Sequence, residues 1–169
     1  MDTLEAIRTR RSIRQFEPRP VAEGLVAELL QAAMSAPSAN NQQPWCFVVV
    51  DDRRLLDQVP PINPYAAMCR QAPLAILVCG DPRLEKFPGY WVQDCAAAVE
   101  NMLLAAHARG LGAVWTGVYP REDRIRGLRK LLRVPEPVVP MALVVLGYPA
   151  EHVPPEDRYR DDRVHRNGW

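Results

Sequence analysis

The stretch VQDCAAAVENMLLAAHARGLGAVWTG, residues 92–117, decides the fold. Val92, Cys95, Val99, Met102 and Ala106 recur every three or four residues, which places them on one face of a helix. Ala96, Ala97 and Ala98 add small side chains that let a second helix approach closely. The spacing therefore predicts a long central core helix. Gly110 suits the residue just past its end, where a positive φ is needed. The run AVWTG, 113–117, then reads as a strand, so helix and strand meet in the same core.

Working outward, the other elements alternate in the same way. Asp2-x-x-Glu5 resembles a capping box ahead of a first helix with Leu4 and Ile7 on its apolar face. Leu25, Leu29 and Ala33 repeat at helical spacing as far as Met34, and Pro37 blocks continuation. FVVV, 47–50, and LAILVCG, 74–80, read as strands buried on both faces. Between them, residues 53–71 read as two short helices broken by Pro60, Pro61 and Pro64. A short basic helix spans 121–132 and a fourth strand 138–148. No repeat or internal boundary interrupts residues 1–169, so the expectation is one α+β domain, a sheet flanked by helices. The last stretch, about 150–169, is polar and proline-rich and reads as an arm that needs another surface to lie on.

Composition narrows the function classes. With 21 basic and 20 acidic residues the formal net charge is +1, so no global field recruits nucleic acid or anionic membrane. Asp2, Glu5 and arginines occupy the place of a secretory h-region, and no apolar run reaches membrane-span length, so the cytoplasm is the default compartment. Cys46, Cys69, Cys79 and Cys95 lack metal or redox spacing and read as buried free thiols. His107, His152 and His165 are scattered without partners at metal spacing, so no metal site is expected. No GxSxG or supported Cys/His pair offers a nucleophile.

Three segments remain that carry recognition chemistry. RTRRSIRQF, 8–16, holds four arginines within seven residues. Either water and counter-ions bathe an exposed basic strip, or an anion sits there, since guanidinium forks plus a hydroxyl are a good phosphate set. APSANNQQPW, 36–45, is a loop with five amide or hydroxyl side chains in succession, suited either to solvent or to the edge of a heterocycle. GLGAVWTG, 110–117, fails as a dinucleotide fingerprint because a helix precedes it and a strand follows, the reverse of the required order. Gly112 then reads as part of a tight path into the strand, and Gly117 as backbone bared at its far end. A second basic cluster, RYRDDRVHR, 158–166, lies in the arm.

Taken in order, RRSIRQF, APSxxNxQPWxFVVV, GLGxxWTG and the terminal VHRNGW resemble the FMN-dependent nitroreductase family, and the resemblance spans nearly the whole chain. It implies a homodimer of α+β subunits with a nitroreductase-like mixed sheet, an exchanged C-terminal arm and FMN at the interface. Carried over, Arg10, Arg11 and Ser12 would hold the phosphate and ribityl chain, and Arg14 the pyrimidine edge of the flavin. Pro37, Ser38 and Asn41 would come from the partner subunit, the backbone of Thr116 and Gly117 would face N5 and O4, and Arg158 or Arg160 would return to the phosphate. The implied activity is NAD(P)H-dependent reduction of nitroaromatics, quinones or related acceptors by ping-pong exchange, with the cofactor and no side chain as the hydride carrier. Flavin destruction, reductive dehalogenation or azoline oxidation on the same fold is one alternative, and a non-enzymatic phosphate or nucleic-acid module another. The stretch GDPRLEKFPGYW, 80–91, is short where many family members carry helical cover, and no lysine stands between Asn63 and Arg70 where some relatives place one near the flavin.

Overall fold

The computed structural model describes all of residues 1–169. Four strands, β1 (Trp45–Val50), β2 (Leu74–Gly80), β3 (Gly112–Gly117) and β4 (Val139–Gly147), form one sheet in the order β1-β2-β4-β3. Every neighbouring pair is antiparallel. The sheet's parallel component is an isolated bridge from Ser12 to Ala113. Six helices flank it: α1 (Thr3–Thr9), α2 (Glu23–Met34), α3 (Arg53–Leu56), α4 (Val59–Ile62), α5 (Trp91–Ala108) and α6 (Glu122–Leu132).

Period-two alternation divides the central strands between two cores. Leu74, Ile76 and Val78 of β2, with Ala142, Val144 and Leu146 of β4, face α2 and α5. Ala75, Leu77 and Cys79, with Leu143 and Val145, face the layer of α3, α4 and α6. The architecture is thus helices on both sides of an antiparallel sheet. The expected central helix is α5, which buries Cys95, Val99, Met102 and Ala106 against the sheet. Its first turn is held by Glu85, whose carboxylate accepts the N–H groups of Tyr90 and Trp91 at 2.9 and 2.8 Å. At the other end Gly110 takes φ +74. The Leu111 N–H reaches the Ala106 carbonyl and the Gly110 N–H that of His107, the paired bonds of a Schellman stop.

Two expectations are corrected. Pro60 and Pro61 lie within the four-residue α4. In a first helical turn the missing N–H of proline costs nothing, because that donor has no intrahelical partner anyway. The third piece, residues 64–70, is a 3₁₀ helix. Strand β1 is also not buried on both faces: it is the sheet edge and Val49 is exposed. Strand β2, paired on both sides, is buried along its whole length, as its apolar run predicts.

Candidate functional site

The basic segment is drawn out of α1 and laid along the sheet. After the C-cap at Arg10, Ser12 bridges Ala113, and the Ile13 N–H donates to the Ala113 carbonyl at 3.1 Å. Gly112 permits this path, since a Cβ there would lie 2.6 Å from Ile13 Cγ2. Its glycine therefore answers a close approach of two segments rather than a turn. Helix α5 braces α1 from below. The Thr9 hydroxyl donates to the Glu5 carbonyl at 2.7 Å, so the His107 Nε2–H is the donor in the 2.8 Å contact with Thr9 Oγ1. Burial, then the charge of Arg10, lowers the pKa of His107 and keeps it neutral.

Arg10, Arg11, Ser12 and Arg14 line one cleft of about 290 Å³, joined by Glu151, Val153 and Arg158. Five of the expected residues therefore converge on one place. Arg160 does not: its guanidinium binds Asp162 instead, at 3.0 Å. The Glu151 carboxylate accepts the backbone N–H of Arg14 at 2.5 Å and of Gln15 at 3.1 Å, fixing the segment's far end. Glu156 Oε2 lies 3.1 Å from both Arg11 and Arg158. Hydrogen bonds from Arg158 and Arg11 hold that carboxyl below the usual carboxylate range. Neither glutamate was singled out by sequence, because Glu151 reaches Arg14, and Glu156 reaches Arg11, across more than a hundred residues.

The cleft has capacity for an anion. Arg10 Nε and Arg11 Nε are buried without a hydrogen-bond partner, Arg10 lying 3.6 Å from Glu100. Unpaired buried donors are costly, and a phosphate brings several acceptors at once. The residues present fit the phosphate end of a mononucleotide.

The 36–45 loop stands apart from this cleft within one chain, and Pro37, Ser38 and Asn41 do not line it. It is a built loop all the same. Ser38 Oγ accepts the Gln43 N–H at 3.0 Å, and Asn41 Oδ1 accepts from Gln43 Nε2 at 2.8 Å. Asn40, Asn41 and Gln43 adopt positive φ, a conformation asparagine tolerates better than most side chains. Asp94 anchors the loop from α5, accepting the Ala39 N–H at 2.9 Å and Gln42 Nε2 at 3.0 Å. Its signal in the sequence is a lone acid beside the apolar face of the core helix.

Thr116 and Gly117 lie at the other end of β3 from the Ser12 bridge. Gly117 is four residues beyond Ala113, about 13 Å at the strand repeat. Thr116 turns its hydroxyl inward to the Leu143 carbonyl at 2.9 Å, leaving only backbone for a ligand. Gly117 is exposed, and a Cβ there would meet nothing within 4 Å. Its carbonyl accepts from Asn63 Nδ2 at 3.3 Å and Arg124 Nη1 at 2.9 Å.

Other chemistry is scarce. Burial pushes the thiols of Cys69 and Cys79 up to about 12, and that of Cys95 up as well, which makes them poor nucleophiles. No group of three or more His, Cys, Asp or Glu side chains is placed to hold a metal, and no helix is long and apolar enough to cross a membrane. A groove of about 1070 Å³, bounded by residues 16–30 on one side and by Val49–Leu56 and residues 70–74 on the other, contains none of the expected site residues.

Known proteins place the chain. A Methanothermobacter thermautotrophicus protein provisionally named NADH dehydrogenase/NAD(P)H nitroreductase is 54% identical over 169 residues, covering 100% of this chain and 88% of that one. A similarly named protein from Parabacteroides distasonis has a crystal structure that superposes with a TM-score of 0.95 at 42% identity, covering 99% of this chain and 98% of that one. A provisionally named nitroreductase from Desulfovibrio desulfuricans, solved in complex with FMN, superposes with a TM-score of 0.85 at 33% identity, covering 100% and 98% of the two chains. The sequence model of the nitroreductase family matches residues 7–148, and the chain belongs to that family.

Proposed function

We propose that the protein is an FMN-dependent oxidoreductase that takes hydride from NAD(P)H and passes it to a nitroaromatic, quinone or related acceptor by ping-pong exchange. The observation that carries this reading is the cleft in which Arg10, Arg11, Ser12, Arg14 and Arg158 converge, with the Arg11 Nε–H buried without a partner and the Arg10 Nε–H lacking a hydrogen bond and facing only Glu100 at 3.6 Å. A similar chain solved with FMN and relatives named for NAD(P)H support it.

In this reading Arg10, Arg11, Ser12 and Arg158 bind the phosphate and the adjoining ribityl chain, and Arg14 meets the pyrimidine edge. The backbone of Thr116 and Gly117 orients the ring. FMN, when bound, supplies the hydride chemistry, so the protein needs no side-chain acid or base. Arg160, engaged with Asp162, drops out in favour of Arg158.

The assembly we propose is a homodimer with two such sites at its interface. Pro37, Ser38 and Asn41 complete the partner's site, and the arm beyond Arg158 lies across the partner, whereas Glu151, Glu156 and Arg158 are held against their own chain's cleft. Support comes from the separation of the 36–45 loop from its own chain's cleft, and from Tyr159, Val164 and Trp169, which a single chain leaves exposed.

Acid extraction and chromatography of the purified protein test the cofactor, followed by anaerobic reduction with NADH or NADPH and reoxidation by a nitroaromatic. FMN bleached by a nicotinamide and restored by the acceptor is the expected result. Recovery of FAD, or failure to bind FMN on reconstitution, contradicts the proposal.

A further inference from the structure

Helix α6 approaches α4 so closely that only glycine fits between them: a Cβ on Gly127 would lie 2.4 Å from Ile62 Cγ2. Arg124 is three residues earlier and shares that face of the helix. The packing thus delivers its guanidinium to Asn63, Tyr65 and Gly117. Arg124 Nη1 donates to the Gly117 carbonyl at 2.9 Å, and its Cζ stands 5.1 Å from the centroid of the Tyr65 ring. Asn63, fully buried, pins the same carbonyl and accepts the Tyr65 N–H at 3.2 Å.

Two features of this group have no role in the fold. Tyr65 is 72% exposed, although its backbone is tied down. Arg124 makes no ion pair, whereas Arg121 in the preceding turn is matched with Asp123 at 3.4 Å. An exposed aromatic face held beside a cation with spare donors is a receptor for a flat ring carrying negative charge.

We infer that Tyr65 and Arg124 form an acceptor-binding platform beside Gly117, selecting planar aromatic substrates that bear a carboxylate or comparable anion. The inference rests on the reading that Gly117 borders the flavin ring, because only there does the platform present a substrate to the cofactor. The ring of the substrate lies against Tyr65 and its anion takes the free guanidinium donors of Arg124. Both residues are positioned by their own chain, so each protomer carries a complete platform.

Calorimetric titration of FMN-reconstituted protein with benzoate and with benzamide tests it, since neither probe is reducible and they differ in charge. Benzoate is expected to bind about tenfold more tightly than benzamide, the worth of one charge-assisted contact. Arg124→Gln brings that ratio close to one, and Arg124→Lys, which keeps the charge, retains most of it. A purely structural Arg124, acting through the Gly117 carbonyl, would weaken both probes alike and leave the ratio intact; that result overturns the inference, as does equal binding of the two probes by the parent protein. Flavin absorbance read before titration separates the two proposals. Protein that takes no FMN defeats the cofactor reading, and its benzoate-to-benzamide ratio still supports or overturns the platform.

Discussion

Glu156 holds its carboxylate oxygen 3.1 Å from the guanidinium of Arg11, which lines the cleft assigned to the cofactor phosphate. The same oxygen accepts from Arg158 at 3.1 Å. An internal anion therefore engages the cations that an external anion needs. Because Arg158 and Arg11 lower its pKa, the carboxyl stays charged throughout the neutral range. Glu156→Gln removes the competitor, and FMN affinity measured by fluorescence quenching is expected to rise about two- to fivefold, the scale of an exposed ion pair. Unchanged or weaker binding would mean that Glu156 and the phosphate use different donors.

His107 should make stability depend on pH. Its folded pKa is depressed, so below the ordinary imidazole value of 6.5 the unfolded state holds more protons than the folded one. Stability is therefore full above that value and declines as pH falls through it. Urea midpoints at pH 7.5 and 5.5 should drop further for the parent than for His107→Gln, which keeps a donor for Thr9 without the titration. Equal drops would locate the acid sensitivity elsewhere.

Division of labour among the arginines predicts distinct redox effects. A cation at the pyrimidine edge favours the reduced flavin, whereas the phosphate carries the same charge in both redox states. For a contact of about 1.5–3 kcal/mol, loss of Arg14 should lower a two-electron potential by about 30–65 mV. Arg10→Gln should weaken FMN binding with a smaller shift in potential. Potentials of FMN-saturated variants decide the matter, and equal shifts would remove the distinction between the two residues.

The arm prediction concerns assembly. A chain ending at Pro155 keeps Glu151 on the Arg14 and Gln15 amides but lacks Arg158 and the exposed Tyr159 and Trp169. Sedimentation should show it as a monomer, with flavin content well below that of the full chain. A flavin-replete dimer would show that the arm is a solvated tail.

What could be read from sequence was local. Periodicity and Gly110 gave α5 and its Schellman stop, because helix face and helix end are set within a few residues. The arginine cluster, open to reading as a solvated strip or an anion site, was visible for the same reason. Strand β1 was misread because its edge position follows from the sheet order, which no single segment encodes. Gly112 reads in sequence only as a tight path into a strand and Gly127 only as a member of a basic helix, yet each answers a side chain from elsewhere, Ile13 and Ile62. Glu151, Glu156 and Arg124 acquire their roles through partners distant in the chain or across an element boundary, so composition and spacing were silent about them, and Asp94 shows only as a lone acid on the core helix. That Arg158 lines the cleft and Arg160 does not likewise follows from the path of the arm, which turns Arg160 onto Asp162.

The central claim is that the Arg10–Arg14 cleft grips the phosphate of FMN, and riboflavin, which lacks only that phosphate, is the direct control. Dissociation constants of both flavins for the parent and for Arg11→Gln test it. The parent is expected to bind FMN at least about 100-fold more tightly than riboflavin, and the substitution to cut that ratio about tenfold or more. Riboflavin binding as tightly as FMN, or a ratio unmoved by loss of Arg11, would contradict the account.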